Sequence, residues 1–209
     1  NGPLLNALAE DFILSGYDNK HLIRRIANSY VYGLSSFPNE TNAIDTTNYS
    51  RRYRQRLRAE VLLDSIVQIT GQPESFAALP SGSSANEIWT HRVGSLFLDA
   101  FGRPDPNQDP PCERTTNTSI VQTLHLMNSE KLFDKVTSND SRAAKLAASE
   151  KPNADIVREL YLLCYSRRPS PGELEFALKY MENPEIERRQ AVEDLLWALM
   201  NTPEFVFKN

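Results

Sequence analysis

The 209-residue sequence predicts an all-α fold, a single compact multi-helix domain over 1–209 built of antiparallel helix pairs with two long irregular loops. Two observations carry this reading: apolar residues recur at helical spacing through most of the chain, and no stretch alternates with the period of two that a half-buried strand requires. A third is punctuation, since helix start and stop signals fall between the apolar stripes.

Leu4, Leu5, Leu8, Ala9 and Phe12 form the first stripe, which Gly16 terminates. Asp18 is placed to cap a second helix carrying Leu22, Ile23, Ile26, Ala27 and Tyr30. The third predicted helix spans 56–70 and is closed by Gly71 with Pro73 two residues later. Farther on, Ile156, Val157, Leu160, Tyr161 and Cys164 make another stripe. Arg167-Arg168-Pro169 marks the corner after it, and Ser170-Pro171-Gly172-Glu173 is a capping box that opens a helix over 171–182. Val192, Leu195, Leu196, Leu199 and Met200 complete the set.

Residues 33–50 and 72–90 are rich in Ser, Asn, Thr and Pro and read as irregular. Their Phe37, Phe76, Leu79 and Trp89 predict segments that pack down onto the rest of the chain. No internal repeat or low-complexity tract is present.

With 40% hydrophobic residues the chain can bury one sizeable core. Its formal net charge of -4 supplies no broad positive field, so no nucleic-acid partner is expected and any anion binding must be local. No apolar run is long enough to span a bilayer and no signal segment opens the chain. The start at Asn1-Gly2-Pro3, without an initiator Met, is the start expected of a processed or excised part of something longer. Cys112 and Cys164 form no Cys-x-x-Cys-His, so no cofactor is expected in this chain; a bridge between them stays open.

Five arginines fall within Arg51 to Arg58, with Tyr53 among them. Guanidinium forks match phosphate, sulfate or an acidic sugar, while the plainer reading is a solvated helix entry. On the predicted 56–70 helix, Arg56, Glu60 and Asp64 share one stripe at i, i+4, i+8. Held from water, those carboxylates need partners, for which Arg103 and Arg114 are the candidates. Arg103, Glu113 and Arg114 bracket a loop stiffened by prolines at 104, 106, 110 and 111.

Familiar catalytic and metal patterns fail. Asp105-Pro106-Asn107-Gln108-Asp109 begins like a calcium loop but has Pro110 where the turn glycine belongs. His21, His91 and His125 lack zinc spacing, and Gly82-Ser83-Ser84 lacks the context of a nucleophile elbow. His125 and Cys112 read as ordinary helix and loop side chains.

Four segments taken together resemble a known family: RLRAEVLLDSIVQITG at 56–71, FGRPDPNQDPPCERTTNTSIVQTLHLMNS at 101–129, RELYLLCYSRRPSPGEL at 158–174 and DLLWALMNTPEFVF at 194–207. The resemblance is to the C-terminal domain of unknown function of the planctomycete cytochrome-c-associated proteins. It implies that Arg56, Glu60, Asp64, Arg103, Glu113, Arg114, Gln122 and Asn128 occupy characteristic positions. It also implies that the chain is the excised C-terminal part of a larger multidomain protein, with an extracytoplasmic setting and a c-type haem on a separate domain of the parent. Relatives often carry Cys-x-Cys where this chain has Pro110-Pro111-Cys112.

Two function classes follow. The first is a non-catalytic helical binding or scaffolding module that docks another domain of its parent or an acidic polysaccharide, with Arg56, Glu60, Asp64, Arg103, Glu113 and Arg114 as the binding residues. The second is a polysaccharide hydrolase or lyase using Glu60, Asp64 or Glu113 as acid or base, which requires two of them in one open cleft roughly 5 to 10 Å apart. A third expectation is that the piece completes a larger core, in which case its isolated form exposes an apolar patch.

Overall fold

The computed structural model describes residues 1–77, 79–88, 93–104, 122, 126 and 128–208. It is all-α apart from one two-residue ribbon among the described residues, as the apolar spacing predicts. The chain divides into two compact units, Asn1–Arg54 and Gln55–Lys208.

The first unit begins with a helical hairpin. In α1 (Gly2–Leu14) the Asn1 side chain accepts the Leu4 N–H and Pro3 sits in the first turn. The helix stops where Gly16 and Tyr17 both take left-handed backbone, with the Tyr17 ring edge-on to Phe12 at 5.5 Å. Asp18 caps α2 (Asn19–Ala27) through the N–H groups of Lys20 and His21. Asp11 then ties the helices together, meeting His21 Nε2 at 2.8 Å and Arg25 at 3.5 Å.

Neither helix contains a buried residue, and Leu5 and Ile23 of the two stripes are 68% and 64% exposed. The two helices pack on each other, leaving Leu8, Phe12 and Leu22 half-buried, while the rest of each stripe stays exposed. Tyr30 falls beyond the end of α2 and is also exposed. Residues 33–50 are irregular as predicted, organised by polar side chains: Asn39 accepts the Thr41 and Asn42 N–H groups, and Asp45 accepts those of Thr47, Asn48 and Ser50. Phe37 does not pack down. Its ring is 69% exposed and lies under the Arg54 guanidinium instead.

The second unit opens with β1 (Gln55–Arg56), which pairs antiparallel with β2 (Phe207–Lys208). The Leu57 N–H donates to Val206 O, extending that pairing by one bond. This corrects the predicted 56–70 helix: α3 is Ala59–Thr70, and Arg56 lies on the ribbon rather than on the helical stripe. Gly71, with φ near 70°, ends α3 as expected. Its last carbonyls are met by Arg142, which donates to Ile69 O and Gln68 O, where the negative end of the helix dipole favours a cation.

A 3-10 turn (Ala85–Glu87) and α4 (Leu96–Ala100) pack against α3. Next come α5 (Glu130–Thr137), α6 (Arg142–Ala148), α7 (Asn153–Tyr165), α8 (Pro171–Met181), α9 (Arg188–Met200) and the short α10 (Pro203–Val206). The predicted capping box at Ser170 and Glu173 is formed. Helix α9 is the centre of this unit, touching α5, α6, α7, α8 and α10. Its Val192, Leu196, Leu199 and Met200 are buried with Ile156, Val157 and Leu160 of α7, Leu62, Leu63 and Ile66 of α3, and Phe97, Leu98 and Phe101 in and beside α4. Phe76 joins this core and Leu79 packs on its edge, so part of the 72–90 segment does pack down. At about 1.5–3 kcal/mol for each fully buried large apolar side chain, this cluster is the main source of the unit's stability. Trp89 lies outside the described residues.

Candidate functional site

Arg56, Glu60, Asp64 and Arg103 fall within the described residues, and the fold sends them to different tasks. Arg56 projects from the ribbon toward the C-terminal end of α4. Its Nη2 donates to Phe101 O at 2.8 Å, its Nη1 to Leu57 O at 3.2 Å, and its guanidinium lies 5.4 Å from the Phe101 ring centre. Burial pulls its pKa below the ordinary arginine value.

Arg103 reaches the same end of α4 from the other direction. Its backbone N–H donates to Leu98 O, Gly102 before it takes the left-handed conformation, and its side chain folds back to Asp99 with Nε to Oδ1 at 2.6 Å. The side chain is 3% exposed. Two arginines therefore hold the close of α4, one through the Phe101 carbonyl and one through Asp99, both favoured by the helix dipole.

Asp64 has other partners. Its carboxylate accepts from the Ser84 hydroxyl, from the backbone N–H groups of Ala85 and Asn86 at 2.6 and 3.2 Å, and from the Asn86 side-chain amide. It caps the 3-10 turn across 20 residues of sequence, and so fixes residues 84–87 on α3. The predicted pairing of Asp64 with Arg103 is not formed; four uncharged donors satisfy the carboxylate instead. Glu60 lies one turn earlier, half-buried in the first turn of α3. Gln122 is buried and Asn128 exposed.

Glu113 and Arg114 lie outside the described residues, as do Cys112, His91, His125 and the 105–109 segment. Among the described residues no group of three or more His, Cys, Asp or Glu side chains is arranged to hold a metal, and no helix is long and apolar enough to cross a membrane. Cys164 is a free thiol among the described residues; the Cys112–Cys164 bridge that the sequence left open involves a residue outside them.

A family model described as PSD1, protein of unknown function (DUF1553), matches residues 1–181, from α1 through the end of α8. The chain belongs to the PSD1 family. No curated protein matches this PSD1 chain, and no solved structure matches it.

The most elaborate ionic site among the described residues of the PSD1 chain is one that its sequence motifs left unremarked. Arg167, at the predicted corner, donates Nε and Nη2 to the two oxygens of Glu204 and Nη1 and Nη2 to those of Glu173. Its guanidinium also lies over both the Tyr161 and Tyr165 rings, at 5.5 and 5.3 Å from their centres. The Arg167 bonds, aided by the Ser170 N–H, hold the Glu173 carboxyl down to about 2. Arg167 joins α7, α8 and α10, which makes it an architectural clamp. A second unremarked feature is the Ser84 and Glu87 capping box, whose Ser-x-x-Glu spacing stands in the sequence inside a segment read as loop.

Proposed function

We propose that this chain is a non-catalytic helical binding module of a large extracytoplasmic, cytochrome-c-associated planctomycete protein, in which any c-type haem resides on a separate domain. It docks another domain of that parent or an acidic polysaccharide. The observation that carries this reading is the engagement of Asp64. A general acid or base needs a carboxyl group free to exchange protons with a substrate, whereas this one accepts four hydrogen bonds from residues 84–86. The exposed aliphatic stripes of α1 and α2 support the docking role, since apolar area of this kind commonly marks an interaction face.

The test pairs a turnover assay with thermal unfolding. Wild type and Glu60→Gln are incubated with acidic and neutral polysaccharides, and new reducing ends and unsaturated products are measured. The reading expects no turnover, and a lowered Tm for Glu60→Gln. Turnover in wild type that Glu60→Gln abolishes while leaving Tm unchanged would establish the hydrolase or lyase reading instead.

A further inference from the structure

The arginine-rich segment just before β1, residues 51–54, closes the first unit. The segment is tied to residues 35 and 36 by the Arg52 N–H donating to Ser35 O and by Arg54 Nε donating to the buried Ser36 hydroxyl. Each guanidinium lies on an aromatic ring: Arg51 on Tyr53 at 5.3 Å, Arg52 on Tyr32 at 5.6 Å and Arg54 on Phe37 at 4.9 Å from the ring centres. Arg51 Nε adds a bond to Asn42 O.

Two consequences follow for ligands. First, these contacts use the ring face and, for Arg51 and Arg54, the Nε; among the described residues no carboxylate forms an ion pair with any of the three, so their terminal N–H forks stay available. Asp45, the nearest acidic residue on the N-terminal side, has its carboxylate occupied by the N–H groups of its own loop. Secondly, stacking pre-orients forks that would otherwise sample many rotamers, which lowers the entropy lost when an anion is bound. Arg52 and Arg54 lie beside the half-exposed Tyr32 and the exposed Phe37, so their guanidinium groups border accessible aromatic surface.

We propose that this surface, Arg51, Arg52 and Arg54 with Tyr32, Phe37 and Tyr53, binds an acidic polysaccharide whose sugars carry carboxylate or sulfate groups. The proposal rests on the binding-module reading and names its ligand and its site. The chemistry selects a glycan for two reasons. A pyranose ring can pack its weakly positive C–H bonds on the aromatic surface of Tyr32 and Phe37 that the arginines leave exposed, beside an anion that an arginine fork grips in two-point fashion. A polymer with one charge per sugar also suits three arginines on a chain of net charge -4, whereas nucleic acid derives its affinity from many closely spaced phosphates.

The test titrates the full chain with a polyuronate, a sulfated glucan, a neutral glucan, a single-stranded oligonucleotide and polyglutamate, at low and high salt. Binding to one or both acidic glycans, weakened by salt and absent with the neutral glucan, is expected; the two acidic arms tell carboxylate from sulfate. Arg52→Ala with Arg54→Ala is expected to weaken binding at least about tenfold, the effect of losing one or two charge-assisted hydrogen bonds. The double Lys variant keeps the charge but loses the fork and the stack, and is expected to fall between. Circular dichroism confirms that each variant is folded.

Undiminished binding by the folded double Ala variant overturns the site. Absence of binding to both acidic glycans, or tighter binding of the oligonucleotide or polyglutamate, overturns the ligand. None of these results bears on turnover, so the binding-module reading fails only in its own assay.

Discussion

Arg167 grips Glu204 through two parallel bonds, Nε to Oε1 at 2.6 Å and Nη2 to Oε2 at 2.8 Å. The pair spans 37 residues and joins the corner after α7 to the start of α10. Because the partners are about one-third exposed, water screens the attraction, but two-point geometry and a third partner lift it above an ordinary surface pair. Arg167→Ala is expected to cost about 1 to 2 kcal/mol in urea unfolding. Arg167→Lys should recover only part of that loss, because an ammonium cannot serve both carboxylates as a fork does.

Glu173 gives this clamp a pH signature. Bonds from Arg167 lower its carboxyl from 4.5 to about 2, so the folded state releases its proton more readily than the unfolded chain. The resulting stabilisation is fully present above pH 4.5 and is lost as pH falls toward 2. Glu173→Gln should be less stable than wild type at pH 7, and the difference should shrink across that window when Tm is followed against pH.

Asp64 is expected to behave as a cap. Asp64→Ala leaves the Ala85 and Asn86 N–H groups without their acceptor and should cost about 1 to 3 kcal/mol. The loss should register as faster amide exchange at residues 84–87 as well as a lower urea midpoint.

Cys164 is expected to be inert in the native state. Burial pushes its thiol up to about 12, so almost no thiolate forms at pH 8. In a Cys112→Ser background, a thiol reagent should modify Cys164 only at the rate of unfolding. Rapid labelling under native conditions would contradict its placement beside the α7 core.

The α1–α2 hairpin should betray its uncovered stripes. At rising concentration the purified chain is expected to self-associate in sedimentation experiments, and Leu5→Glu with Ile23→Glu should suppress this without changing helix content.

Local physics made much of the second unit legible. Apolar spacing over 153–165 and 188–200, together with the Ser170 capping box, signals α7, α8 and α9 from information held within a turn or two. The same signal located α1 and α2 but could not say what covers them, since periodicity identifies an apolar face and not its partner. Arg56 was misplaced for a related reason. Its backbone is captured by Phe207, far along the chain, and two-residue strands have no period to detect. Of the candidate site, residue types and positions were readable but partners were not: Asp64 meets Ser84 through a segment that composition marks only as irregular.

The pairing of Gln55 with Lys208 has a mechanical consequence. The second unit's chain enters and leaves at the same end of the ribbon, and Gln55–Lys208 is its outermost pair. Tension applied through the flanking chain therefore peels the ribbon open one rung at a time rather than sliding its strands past each other under shared load. That seam opens first, and resistance to the pull passes to the packing of α3 and α10 behind it.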